Sequence, residues 1–525
     1  MKSIDSNNYN DDEMASTVSS YKRRVAVISA AILSVLILFV LVTPDSAAAL
    51  VKELQHLIAV KFGWFYMLSV AGFLVLLIYC GLSKVGNLRL GRDDERPEFS
   101  TFSWAAMLFS TGMGIGLVFF GVAEPVMHYL APPIVEANST AAMEGAMTIT
   151  FFHWGFNAWA IYAIVALVIS YAAYRKNLPI EMRSALYPLI GNKIYGPIGD
   201  FVDAFAVLAT VIGIVTPLGF GVMQINAGLN YLFDVPKGVT VQIILIFAIG
   251  IVTCLSLMLG LKKGIKTLSV ININIAIGLM IFVLLAGDTS TVLNTAVKSL
   301  GDYLSNVVPL TFDTYSQTNP SWFEGWTLLY WAWWIAFAAP TGVFIARISR
   351  GRTIREFVLG VLIIPVAFSF VWLSVFGITA LDMIHNQGIT ELATAVSTDS
   401  STALFKFFEL FAGVKVISYL VLFSIFVFFI TTADSGTMVI NILTSEHGDK
   451  APVWQRIFWV VAVSSVTALL LLVGGMSAIQ AVLIILGFPF AIIVSIMCIG
   501  LIKALSDETV LISKMKEQGK SVEAP

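Results

Sequence analysis

Apolar residues run through this chain in long stretches separated by short polar links. Stretches of about 20 residues or more, enough for a helix to cross roughly 30 Å of hydrocarbon, fall at 24–45, 62–84, 102–130, 140–174, 200–230, 238–259, 264–286, 322–346, 354–381, 414–443, 453–474 and 477–503. The pattern predicts an all-α polytopic membrane protein with twelve transmembrane helices. The links alternate in charge. Arg89, Arg92 and Arg96 follow the second stretch, Arg175, Lys176 and Arg183 the fourth, and Lys262, Lys263 and Lys266 the sixth. Arg350, Arg352 and Arg355 follow the eighth, and Lys450 and Arg456 the tenth, whereas Glu136, Asp288, Asp313, Asp382, Glu391 and Asp399 mark the odd-numbered links. Basic residues gather in cytoplasmic loops, so both termini are expected in the cytoplasm.

The stretches divide as two peripheral helices followed by five and five. An odd number per half places the second half upside down relative to the first, and inverted repeats that each open on an interrupted helix are a pattern of secondary transporters. The division reads as a disordered cytoplasmic tail at 1–21, two N-terminal helices and a linker at 22–101, a first inverted repeat at 102–287, an outer loop with a surface helix at 288–321, a second repeat at 322–505 and a short cytoplasmic tail at 506–525. The outer loops 287–321 and 385–413, with amphipathic stretches near 293–308 and 402–412, are expected to occupy matching places in the two halves.

Composition narrows the class. A 525-residue chain that is 58% hydrophobic and 12% charged has too little polar surface for a soluble globule. The net charge of -2 gives no nucleic-acid signal. Cys80, Cys254 and Cys498 lie inside apolar stretches with no CxxC or Cys/His spacing, so they read as packing residues, with no disulfide frame and no transition-metal site.

Three stretches carry candidate chemistry. In the eighth span, Gly325 to Pro340 crowds Trp326, Tyr330, Trp331, Trp333, Trp334 and Phe337 together ahead of a proline expected to break the helix. Indole faces attract an onium ion that has no N–H to donate, and the competing reading is packing or an interfacial aromatic belt. Trp154 and Tyr162 on the fourth span are eight residues apart, share a face, and can close the box from the other side; neighbouring His153 reads as a hydrogen-bonded core residue. In the third span, Gly112, Gly114 and Gly116 follow Ser110 and surround Met113. Such glycines weaken a helix, and an unwound turn is tolerated at membrane depth where it lines a cavity, its carbonyls free for sodium and its N–H groups for a carboxylate; close helix packing is the alternative. In the tenth span, Phe428, Thr431 and Thr432 offer oxygens to a hard cation or bond back to their own helix. Asp434 there needs a partner, and Arg347 at similar depth is the candidate for an inner gate. Glu124, near the outer end of the third span, is expected to tie that helix to a neighbour.

Together, Gly112-Met113-Gly114-Ile115-Gly116, Trp154 with Tyr162, the Trp326 to Trp334 run, Ala346-Arg347-Ile348-Ser349-Arg350-Gly351-Arg352 and Thr432-Ala433-Asp434-Ser435 resemble the betaine/carnitine/choline transporter family over all twelve spans. The resemblance implies the inverted-repeat fold of sodium symporters, a homotrimer and the bacterial inner membrane. It implies a cage of Trp154, Tyr162, Trp333 and Trp334, with Trp331 on the pathway and Met113, Gly114, Gly116 and Phe337 also at the substrate. It implies a sodium site from Ser110, Met113, Phe428, Thr431 and Thr432, and a gate of Arg347 with Asp434. Two departures stand out. Phe337 replaces a tryptophan of betaine-specific members, and Ile214 replaces the threonine that would join Thr210 in a second sodium site, which is therefore in doubt because hydrocarbon offers no oxygen. Gly116 matches betaine-type members; choline-type members carry aspartate there.

The expected function is import of a zwitterionic quaternary-ammonium solute, glycine betaine or a close relative, by sodium-coupled alternating access, with no organic cofactor and no enzymatic step. Sodium-independent exchange and proton coupling of carnitine- or choline-type substrates are the rivals within transport. An ion channel, which needs a polar pore stripe or charged ring, is disfavoured.

Overall fold

The computed structural model describes residues 11–112, 114–259 and 262–517, and these are almost entirely helical, with one isolated bridge between Arg89 and Thr353. Helices α1 (Asp11–Val42) and α2 (Pro44–Leu82) precede a crossing made of two pieces, α3 (Thr101–Gly112) and α4 (Ile115–Leu130). The next crossing divides at Gly155 into α5 (Thr140–Trp154) and α6 (Phe156–Ser170). Then come α7 (Pro197–Phe233), α8 (Val239–Leu259), α9 (Lys262–Ala286) and the amphipathic α10 (Thr289–Phe312). The chain continues with α11 (Pro320–Ile348), α12 (Ile354–His385), α13 (Val414–Thr444) and α14 (Val453–Glu517). Among the described residues nine helices are individually long and apolar enough to cross a membrane. The split α3–α4 pair, the shorter α8 and the kink of α14 at Gly475, where φ is 61°, bring the crossings to twelve.

Burial sorts these helices into a centre and a periphery. The most apolar windows of α5–α6 and of α7 are 94% buried and that of α11 89%, against 17% for α1 and α9. A helix apolar all round and buried all round belongs at the middle of a bundle, and an apolar exposed one faces lipid. Helix α11 packs on α6, α7 and α14, and α13 packs on α7.

The structure corrects three expectations. Helix α11 is not broken at Pro340, which lies inside it; the irregularity is a π turn at Glu324–Leu328. Proline removes one hydrogen bond from the Ala336 carbonyl, and Gly213 of α7 lays its backbone against that carbonyl, where an added Cβ would stand 3.0 Å away. Of the two spans that open the repeats, the third is the broken one, at the run of glycines. The loops 287–321 and 385–413 are not counterparts: α10 sits between the halves, and the segment matching Thr390–Glu409, with its short helices, is 182–195 after α6. Residues 11–21 are helical in place of a disordered tail, and 506–517 of the short C-terminal tail continue α14 as helix.

Both helical extensions are held by buried charge at the basic end of the bundle. Tyr21 of α1 lies under the Arg183 guanidinium, 3.8 Å from its ring centre, and Lys22 pairs with Glu181 at 2.7 Å. Arg183 is fully buried and binds Asp203 and, at 3.0 Å, Asp200. Glu508 of α14 accepts from Tyr171, from Arg175 at 2.5 Å and from Lys176 at 3.0 Å. The arginine-rich turn after α11 is a clasp: Arg350 meets Glu95 at 2.5 Å, Arg352 donates to the Phe99 carbonyl and covers the Trp104 ring, and Gly351 at φ 79° sits where a Cβ would be 2.3 Å from the Arg96 carbonyl. Removing one member of a buried ion group leaves uncompensated charge and costs about 3–5 kcal/mol. Arg183→Met should lower the detergent-solubilised melting temperature sharply, whereas Lys406→Met, whose partner Glu409 is exposed, should leave it within a degree or two, since exposed pairs contribute about 0–1 kcal/mol.

Candidate functional site

Where α3 ends and α4 begins, the chain leaves the helix at Gly114, which is extended (φ -158°, ψ 176°). A helix start leaves its first N–H groups without intrahelical acceptors, and here those of Ile115, Gly116 and Leu117 belong to residues that line a cavity of about 410 Å³. The aromatic wall of the same cavity comes from α6 and α11, with Trp154 at their edge: Trp154, Trp159, Tyr162, Trp333, Trp334 and Phe337. Trp334 stands edge-on to Trp154 (5.0 Å between ring centres, 74°) and to Tyr162 (5.8 Å, 81°), and lies parallel to Trp333 (4.9 Å, 12°). Edge-to-face contacts set neighbouring rings perpendicular, so the group forms a corner with faces in two directions.

Gly116 lets the two features touch. A Cβ there would lie 2.7 Å from Cη2 of Trp333 and 3.2 Å from Cη2 of Trp154, so only glycine admits both indoles against the α4 N-terminus. The helix dipole adds partial positive charge at that terminus. One cavity thus offers π faces to a cation and backbone amides to an anion.

Behind this wall the rings are anchored. The Trp154 indole donates to Glu124 Oε2 at 2.7 Å, Trp334 donates to the His153 carbonyl at 2.9 Å, and the Tyr330 hydroxyl also donates to Glu124 Oε2. Glu124 ties α4 to α5 and α11 as expected, but its hydrogen bonds reach the cage itself.

Trp331 is not placed at the cavity. It is fully buried on another face of α11, with its indole N–H on Met67 Sδ at 3.0 Å and its ring edge-on to Phe152. Met113 lies outside the described residues. Ser110 belongs to the last turn of α3.

Phe428, Thr431 and Thr432 line the cavity across from the α4 start. Thr431 donates its hydroxyl hydrogen to the carbonyls of Val427 (2.9 Å) and Phe428 (3.1 Å), the back-bonded arrangement, which leaves its oxygen lone pairs for a cation. Thr210 is elsewhere: fully buried, its hydroxyl bonds to the Ala206 carbonyl at 2.7 Å, and Ile214 fills the neighbouring space against Gly436, where a Cβ would meet Ile214 Cδ1 at 2.3 Å. Among the described residues no ion pair joins Arg347 to Asp434: the Arg347 Nε is buried without an acceptor, and Asp434, which has an interaction of its own, lines the cavity. With Thr341, Phe344 and Met438 also on its wall, the cavity runs from the aromatic corner towards the basic end of the bundle.

The residues missed in the sequence are His128 and Trp159, and Tyr330 was noted there only as one of the crowded aromatics. Trp326, Tyr330, Trp333, Trp334 and Phe337 recur at helical spacing, a stripe that Trp331 falls outside, and Glu124 with His128 is an i, i+4 pair on one face.

A multi-pass helical bundle with an aromatic-walled cavity reached from one end is a membrane carrier for a small solute. The chain belongs to the betaine/carnitine/choline transporter family: residues 24–510 match the family described as BCCT, betaine/carnitine/choline family transporter. It is 44% identical over 503 residues to a glycine betaine transporter of Acinetobacter baylyi, covering 96% of this chain and 76% of that one. Identity is 43% over 495 residues with the glycine betaine transporter OpuD of Bacillus subtilis (93% and 96%), and 41% over 473 residues with the high-affinity choline transport protein of Escherichia coli K12 (88% and 69%). Its role is transport and not enzymatic catalysis.

Overpacking of this kind costs about 1–3 kcal/mol. Gly116→Ala should therefore weaken quaternary-ammonium binding by roughly tenfold, read by tryptophan fluorescence, whereas Gly114→Ala, with nothing within 4 Å of the added Cβ, should bind as the parent does. Equal losses in both would contradict the role given to Gly116.

Proposed function

We propose that the protein imports a zwitterionic quaternary-ammonium solute of the glycine betaine type by sodium-coupled alternating access. The observation that carries this reading is the single cavity bounded by an indole corner and by the α4 N-terminus. The trimethylammonium group would sit against Trp154, Tyr162 and Trp334, where each indole contributes roughly 0.5–2 kcal/mol when desolvated. The carboxylate would meet the amides of Ile115, Gly116 and Leu117. A zwitterion fills both; choline leaves the amides facing its neutral hydroxyl end. The names of the betaine-transporting relatives and the glycine at 116 support the same choice.

Sodium would be held by Thr431, Thr432 and the Phe428 carbonyl on α13 with carbonyls of the broken third span, oxygen donors suited to a hard cation. The hydrocarbon around Thr210 supports one sodium per substrate. Inward movement of one charge yields about 2.3 kcal/mol per 100 mV, equivalent to roughly fifty-fold accumulation. The basic links support a cytoplasmic basic end, so the cavity is that of an inward-facing state, with the Arg347–Asp434 gate released. The bacterial plasma membrane is the site proposed.

Uptake of labelled glycine betaine into proteoliposomes tests this. Accumulation should require an inward sodium gradient and rise hyperbolically, without sigmoidicity, with sodium concentration. Uptake indifferent to sodium that needs internal substrate would establish exchange instead, and a steeply sigmoidal response would establish a second sodium.

A further inference from the structure

The cage is backed by a cluster that substrate binding and sodium coupling leave unused. Glu124, His128 and His153 are all fully buried, and their ligating atoms lie within 4.8 Å of one another. Four donors converge on one carboxyl group. His153 Nδ1 stands 2.8 Å and His128 Nε2 3.3 Å from Oε1, while the Trp154 indole and the Tyr330 hydroxyl meet Oε2. The indole N–H can only donate, and an ionised carboxylate accepts at about four sites with none left to donate. The filled set is that of a carboxylate accepting from all four groups, the two histidines each through a ring N–H. His153 then takes the hydroxyl of Thr327 at Nε2, 3.0 Å away, and His128 keeps an unpartnered Nδ1 beside the rings of Trp322 and Trp326. No lysine or arginine pairs with Glu124 among the described residues.

A buried carboxylate with no lysine or arginine beside it is costly even when hydrogen-bonded, and one ring width away lies a cavity shaped for a cation. We propose that Glu124 is the fixed counter-charge of the aromatic cage: its negative charge, passed through the hydrogen bond to Trp154, selects a positively charged onium over a neutral group of the same shape. Trp154 is the link, because its N–H faces the carboxylate while its far edge meets Gly116 and the cavity. The group is a specificity-determining and positioning residue; it does not touch substrate. This rests on the cage reading above and adds to it the source of the charge preference.

The test separates charge from shape. Glycine betaine and 3,3-dimethylbutanoate differ only in nitrogen against carbon at the branching atom, hence in one positive charge. Binding of each is measured by tryptophan fluorescence in the full-length protein and in Glu124→Gln. The amide keeps the hydrogen bonds: its oxygen accepts from Trp154 and Tyr330, and its NH2 donates to His153 Nδ1 and His128 Nε2 once both histidines shift tautomer. Removing a unit charge one ring away should lower the betaine-to-isostere affinity ratio by on the order of tenfold. Glu124→Asp should restore most of it, and Tyr330→Phe, which removes a donor but not the charge, should leave it within about twofold by the same reasoning. An unchanged ratio in Glu124→Gln, or an equal fall in Tyr330→Phe, overturns the proposal and leaves the cage intact. Should Glu124→Gln fail to fold, the parent decides: it should bind glycine betaine at least about tenfold more tightly than 3,3-dimethylbutanoate, and equal binding of the two overturns the proposal. Failure of the parent to bind betaine at all would refute the cage itself. A stoichiometric transition metal found by mass spectrometry in the purified protein and lost in His128→Ala would overturn the proposal in favour of a metal centre.

Discussion

A methylated nitrogen carries a full charge and no hydrogen to donate, so the usual means of holding a cation at membrane depth, a ring of hydrogen-bond acceptors, does not apply to it. What remains is the quadrupole of aromatic faces, each weak and useful only with water excluded. Much of the architecture serves that constraint. Rings must be stacked tightly enough to exclude water yet leave two faces bare, and this fixes the positions of α6 and α11 against one another. Trp334 edge-on to both Trp154 and Tyr162 is the geometric result.

The opposite charge is met by different means. Breaking the third span at its glycines creates a helix start in the interior, where backbone amides can face an anion without any basic side chain being buried. Gly116 joins the two solutions, since its missing side chain lets indoles and amides share one wall. The periphery carries another burden: at the basic end, Lys22 with Glu181 and Arg183 over Tyr21 tie α1 to the segment after α6, and Arg175 with Glu508 ties in the end of α14, a two-part ionic assembly. That assembly holds the bundle at the end towards which the cavity extends.

The crossings were legible in the chain because hydrocarbon thickness imposes a length on every apolar run, and the break in the third span because three glycines at spacing two weaken a helix, although close packing stayed open as the alternative. Trp154 and Tyr162 were recognisable by a shared face, and the family resemblance grouped them with Trp333, Trp334 and Phe337. Trp331 was not separable from them by residue type; only its register on α11 sets it apart, and a run so dense in aromatics hides that register. Helix 11–21 and the extension to Glu517 looked polar and loose because their stabilising partners, Glu181, Arg183 and Arg175, lie more than a hundred residues away. The reach of Glu124 into the cage was invisible for the same reason: a carboxylate's partners are fixed by tertiary approach, and only the i, i+4 relation to His128 is local.

The central claim is that one cavity binds both ends of a zwitterion in a fixed sense, cation to indoles and anion to amides. Electron cryo-microscopy of the protein with glycine betaine addresses it directly. The account predicts ligand density with the trimethylammonium group enclosed by Trp154, Tyr162 and Trp334 and the carboxylate at the start of α4. Density in the reverse orientation, or outside that corner, would contradict it.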